Sequence, residues 1–220
     1  MNGRVNSRGL GRSAATLLCL LIAVVMAGAG SAGATPLKIF AFGDSLTAGL
    51  GVQQDEAFPA RLQAALNAEG VDAVVENAGV SGDTSAGGLA RLDWALDGST
   101  PDLVILELGA NDGLRGLPPD RTEANLDAIM ERLHKNNIPV LLAGMLAPPN
   151  MGKEYGGNFS SMYPRLAKKY DAVFYPFFLE GAIGNPELMQ KDNLHPNPKG
   201  VDAIVAGILP YVRRALEQTR

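Results

Sequence analysis

Along most of the chain, short apolar runs alternate with stripes of apolar residues at helical spacing. Runs of strand length fall at 37–42, 73–75, 103–108, 140–143 and 172–175. The third, "LVILEL", and the fourth, "VLLA", are almost continuously apolar, as strands covered on both faces are. Between them, Leu62, Ala65 and Leu66 share one helical face, and Gly70 marks its stop. Leu89, Leu92 and Leu96 form a second stripe, and Leu126, Ile129, Met130 and Leu133 a third. Phe159, Met162 and Leu166 suggest a fourth, interrupted by Pro164. Val201, Ile204, Val205, Ile208 and Val212 make a fifth, starting near Pro198. Strand and helix in alternation predict one α/β domain, a five-stranded parallel sheet with helices on both faces. Such a sheet binds ligands beyond the carboxyl ends of its strands, so the loops after the strands carry the chemistry.

The first 34 residues break this pattern. Arg4, Arg8 and Arg12 precede an apolar run of about 15 residues, followed by "GAGSAGA" with Ala32 and Ala34. These are the parts of a secretory signal, and the run is short for a membrane span, which needs about 20 residues. We expect residues 1–34 to be an export signal cleaved after Ala34, and 35–220 to be a single domain. The letters of "GAGSAG" match a dinucleotide fingerprint, but no strand precedes them and a strand, not a helix, follows.

Composition narrows the function. The 220 residues are 46% hydrophobic and 19% charged, ordinary for a soluble domain. Removing the first 34 residues takes away three arginines and no acid, lowering the formal charge of −4 by three, to −7. An acidic chain without basic clusters is a poor partner for nucleic acid or an anionic membrane. The only cysteine, Cys19, leaves with the signal, which excludes cysteine catalysis and a thiolate metal site in the mature chain. No cofactor or metal is expected.

The first strand runs into "GDSLTAG", where Ser45 sits among small residues. A serine there either caps a helix or serves as a nucleophile, and the second role needs a base, an orienting acid and an oxyanion site. Two histidines exist. His134, beside Lys135 near a helix end, suits a solvated residue favoured by the helix dipole. His195 lies in the polar turn "QKDNLHPNPKG", with Asp192 three residues earlier. That spacing lets the carboxylate reach Nδ1 while Nε2 faces outward, although an aspartate cap beside a packed histidine has the same spelling. For the oxyanion, "NAGVSGDTS" after the second strand offers the bare backbone of Gly82, and "ELGANDG" after the third offers the Asn111 amide. Alone, Gly82 equally suits the shaping of a turn and Asn111 the capping of a loop.

Together, GDSL at Ser45, GDTS at Gly82, GAND at Asn111 and the Asp192–His195 pair resemble the four blocks of the SGNH (GDSL) hydrolases. "SGDTSAGGLARL", "ELGANDGLRGLPP" and "MYPRLAKKYD" with "FYPFFLE" resemble more narrowly the bacterial thioesterase I, arylesterase and lysophospholipase group. The resemblance implies a flavodoxin-like sheet of order 2-1-3-4-5. It assigns Ser45 as nucleophile, His195 as base and Asp192 as its orienter, with the Ser45 and Gly82 N–H groups and the Asn111 amide as oxyanion donors. Ala110 and Asn193 depart from the glycines common at those positions. The G-x-S-x-G elbow of ordinary α/β-hydrolases is absent.

The expectation is an exported serine esterase acting on aryl esters, lysophospholipids or acyl thioesters, periplasmic or secreted, monomeric, with only a small-molecule partner. Substrate contacts are assigned to Asp44, to Leu114, Arg115 and Leu117 in a loop at 112–119, and to Leu146 and Met151 in a lid at 146–157. A carbohydrate acetylesterase is the rival within enzymes, and a non-catalytic binding domain the rival outside them. The apolar residues Leu114, Leu117, Leu146 and Met151 favour acyl chains over a sugar.

Overall fold

Five parallel strands in the order β2-β1-β3-β4-β5 organise the chain. The computed structural model describes residues 1–3 and 35–218, so the expected export signal lies outside the described residues. From Pro36 onward the chain is one contact unit. The strands are β1 (Leu37–Gly43), β2 (Ala73–Gly79), β3 (Leu103–Glu107), β4 (Val140–Ala143) and β5 (Val173–Tyr175). Every residue of β3 is buried, and in β4 all but Val140, because both lie inside the sheet with helices over each face. The edge strand β2 alternates instead, with Glu76 and Asn77 exposed before the half-buried Ala78 and Gly79 at its end. Its pattern therefore predicted only 73–75, yet pairing carries it on through Asn77↔Ala41 to Gly79↔Gly43.

The helices are α1 (Ser45–Ala48), α2 (Phe58–Ala68), α3 (Ser85–Leu96), α4 (Ala110–Leu114), α5 (Pro119–Lys135), α6 (Lys153–Lys169) and α7 (Pro198–Gln218). They fall into two packed groups, α2 with α7, and α3 with α5 with α6. Right-handed crossovers explain the division, because strand order reverses after β2 and sends later connections over the other face. The expected stripes face the core. Leu62 and Leu66 of α2, Leu126, Ile129, Met130 and Leu133 of α5, and Val201, Ile204, Val205, Ile208 and Val212 of α7 are all buried.

Two short helices were not predicted. With four and five residues, α1 and α4 are too short to show periodicity. The expected lid at 146–157 is also corrected, because α6 begins at Lys153 and takes Gly156 and Gly157 into its first turns. Glycine weakens a helix by about 1 kcal/mol relative to alanine. Burial of Phe159, Met162, Tyr163 and Leu166 farther along the same helix outweighs that loss.

At the sheet's centre, Leu106 is completely buried and pairs with both Phe42 and Leu142. We expect Leu106→Ala to lower unfolding free energy by about 2–5 kcal/mol, the range for a leucine-to-alanine cavity. Urea denaturation should show a lower midpoint at an unchanged slope.

Candidate active site

The carboxyl ends of β1 and β3 lie side by side where the strand order reverses, and the candidate residues meet there. Asp44 follows β1 and caps α1, its Oδ1 accepting the Leu46 N–H at 3.0 Å. Ser45 is the first residue of that helix, so its own N–H has no acceptor within the helix. The Ser45 hydroxyl lies 2.9 Å from His195 Nε2.

His195 comes from the turn before α7. Asp192 shapes this turn with one oxygen, Oδ1, which accepts the N–H groups of Leu194 at 2.9 Å and His195 at 3.1 Å. Its other oxygen meets His195 Nδ1 at 2.7 Å. Asn193 completes the turn in the left-handed region at φ 57°, a conformation asparagine tolerates. An ionised Asp192 accepts only, so Nδ1 donates to it and Nε2 is left to accept from the serine. The hydrogen bond from His195 and the two backbone N–H groups pull the Asp192 carboxyl down to about 2. His134 lies in α5 with its ring 5.8 Å from that of Tyr170, and takes no part in this chain of contacts.

Gly82 and Asn111 arrive after β2 and β3. Gly82 adopts φ 86°, a left-handed conformation that glycine reaches without penalty. The Asn111 amide donates to Asp44 Oδ2 at 3.0 Å and to the Asp83 carbonyl at 2.9 Å. It thus links the loops after β1, β2 and β3. Arg91 of α3 reinforces the link from below, donating through Nε to Asp83 at 2.6 Å and through a terminal nitrogen to the Gly43 carbonyl at 2.9 Å. Asp112 anchors α4 by accepting the Ser85 N–H and hydroxyl and the Thr122 hydroxyl. Arg91 and Asp112 carry no sequence signal beyond their places beside the motifs.

A cleft of about 670 Å³ opens over Ser45 and His195, also touched by Gly82 and Asn111. Of the expected substrate contacts, Asp44, Leu114 and Leu146 line it. Arg115, Leu117 and Met151 are not among its lining residues. The Arg115 guanidinium turns to the Gly82 carbonyl at 2.9 Å, the Leu117 carbonyl accepts the Tyr155 hydroxyl at 2.7 Å, and the end of Met151 lies against Gly116. In their place stand Phe177, Leu179 and Ile183, from the segment after β5, together with Leu50 and Leu194. The apolar run "FFLEGAI", placed after the last strand, was the available signal for them. Among the described residues no cluster of three or more His, Cys, Asp or Glu is arranged to hold a metal ion.

Residues 41–203 match the sequence profile of the GDSL-like lipase/acylhydrolase family. The chain belongs to that family. The GDSL chain is 44% identical to an arylesterase of Vibrio mimicus over 162 residues, 74% of this chain and 81% of that one. It is 39% identical to esterase TesA of Pseudomonas aeruginosa over 202 residues, 92% and 99% of the two chains. Among solved structures, AlinE4, an SGNH-hydrolase family esterase, matches with a TM-score of 0.71 at 48% identity, covering 83% of this chain and 97% of that one. The protein is a carboxylic-ester hydrolase of the GDSL fold.

Asp44 gives the site a pH signature. Burial pushes its carboxyl up to about 6 from 3.8, against the Leu46 N–H and Asn111 amide, which hold it down. Between those values the folded protein binds a proton that the unfolded chain has released. Stability from this group therefore falls as pH rises from about 4 to 6. In urea denaturation, the stability of the parent relative to Asp44→Asn should decline across that window by about 2 kcal/mol. A difference that is flat or rises with pH would contradict it.

Proposed function

We propose that the mature chain is an exported serine esterase that works through an acyl-enzyme on Ser45. The continuous contact from Asp192 through His195 to the Ser45 hydroxyl supports this reading most directly. Ser45 Oγ attacks the acyl carbonyl carbon while its proton passes to His195 Nε2, and the charged imidazole is stabilised by Asp192. The carbonyl oxygen becomes an oxyanion received by the N–H groups of Ser45 and Gly82 and the Asn111 amide. Collapse expels the alcohol, protonated by His195. Water, deprotonated by the same ring, then attacks the acyl carbon and releases the acid and Ser45.

Because the Asn111 amide is already bonded to Asp44 and Asp83, the oxyanion has to share one of those hydrogens. The substrate class is an ester with an apolar acyl chain: aryl esters, lysophospholipids and, in vitro, acyl thioesters. Leu50, Leu114, Leu146, Ile183 and Leu194 are exposed large apolar residues that all border the cleft, which favours a hydrocarbon chain over a sugar. Arginines followed by an apolar run and Ala-x-Ala support export, to the periplasm or beyond the cell. Among the described residues no helix is long and apolar enough to cross a membrane. The enzyme is proposed to act as a monomer.

Ser45→Ala and His195→Ala should each abolish nearly all hydrolysis of a nitrophenyl ester, while His134→Ala stays close to the parent. An inactive His134→Ala beside an active His195→Ala would overturn the assignment of the base. A fluorophosphonate should label the parent at Ser45 and nowhere else.

Asn111→Ala should reduce kcat by about 10²–10³ with a much smaller rise in KM, the loss seen when one oxyanion donor is removed. Steady-state kinetics, with thermal unfolding as the folding control, checks this. A folded variant with kcat within about threefold of the parent would leave Asn111 only the task of tying loops together.

A further inference from the structure

Glu107 is a buried carboxyl with no part in the steps above. It ends β3 and its residue is completely inaccessible to solvent. One oxygen, Oε2, accepts the Thr47 hydroxyl at 2.7 Å and the Asp44 N–H at 3.3 Å. The other, Oε1, is buried without a hydrogen-bond partner. The carboxyl thus holds the residue just before Ser45 and a residue two positions after it.

Gly43 confirms that the chain makes room for this group. It pairs directly with Glu107 across the β1–β3 ladder. A Cβ on Gly43 would run into Thr47 Oγ1 and Glu107 Oε2. The space beneath the serine turn is therefore filled by two polar side chains, where an apolar contact would have been the simpler packing.

We propose that Glu107 is a positioning residue for the nucleophile: its carboxyl grips the Asp44 N–H and the Thr47 hydroxyl on either side of Ser45 and so sets the serine oxygen against His195. It does this as the uncharged acid. No lysine or arginine of the described residues forms an ion pair with it, and the titratable groups facing it are Asp44 and Tyr163. The donors, all from Asp44 and Thr47, leave Oε1 bare and are outweighed by burial of the charge, whereas a neutral acid leaves only one hydrogen bond unmade. Burial first, then the charge of Asp44, push the Glu107 carboxyl well above the usual range. The proposal rests on Ser45 being the nucleophile.

Glu107→Gln and Glu107→Leu test it, followed by kcat, KM and the rate of fluorophosphonate labelling, with circular dichroism to check folding. The glutamine carbonyl can accept both bonds without charge, so Glu107→Gln should keep kcat within about threefold of the parent. Glu107→Leu releases the turn, and misplacement of a reacting group costs up to about 10²-fold. We expect kcat and labelling to fall together, by about 10- to 100-fold, with KM within about twofold. A folded Glu107→Leu that labels and turns over like the parent would overturn the proposal. A Glu107→Gln as slow as Glu107→Leu would overturn the neutral acid. Should Glu107→Leu not fold, Thr47→Val removes one of the two bonds at nearly constant volume. It should lower kcat at least about threefold at unchanged KM, and parental kcat would count against the grip. A parent that does not label at Ser45 would instead refute the nucleophile itself, so the two failures are distinguishable.

Discussion

The register of β1 against β3 places Gly43 beside Glu107, and most distances in the site follow from it. Both strands end at the same level, so the loops that leave them meet at once. Asp44 then divides its two oxygens between elements: Oδ1 caps the helix that begins with Ser45, and Oδ2 receives the Asn111 amide. Slipping the register by one residue would swap the side chains of β3 between the two covered faces of the sheet and separate these partners. Hydrophobic burial secures the register, since the in-register neighbours Phe42, Leu106 and Leu142 are all excluded from solvent.

The two aspartates of the site occupy opposite environments. Asp192 is half exposed and surrounded by donors, so its charge is secure and available to the imidazolium formed during reaction. Asp44 is buried, and its carboxyl is raised toward neutrality. One carboxylate faces outward to support a charge that comes and goes. The other lies beneath the serine, where it works through geometry.

Much of this was legible in the residues because the long elements carry strong periodic signals. The five strands, the helices over Leu62, Leu92, Leu126 and Val201, and the meeting of Ser45 with His195 and Asp192 could all be placed from pattern and spacing. What escaped was governed by contacts between elements. Helix α4 has no period of its own and exists because Gly109 turns at φ 115° and Asp112 is held by Ser85 and Thr122. Arg115 looked like a substrate contact from its loop, but its guanidinium is directed to the Gly82 carbonyl. Phe177, Leu179 and Ile183 follow β5 in an irregular segment, and only the three-dimensional path brings them to the cleft.

The turn from Asp192 to His195 holds its own geometry, since one carboxylate both folds the backbone and aligns the ring. Its backbone is tied upstream at Gln190, whose N–H donates to the His195 carbonyl at 2.8 Å and whose carbonyl accepts the Asn193 N–H at 3.0 Å, and not at the irregular stretch 176–183. That stretch is where Phe177, Leu179 and Ile183 build one wall of the cleft. Chemistry and substrate fit are thus written in adjacent but separable passages of the chain. A change at Phe177, Leu179 or Ile183 would alter the wall that meets an acyl group while leaving in place the hydrogen bonds that aim the imidazole.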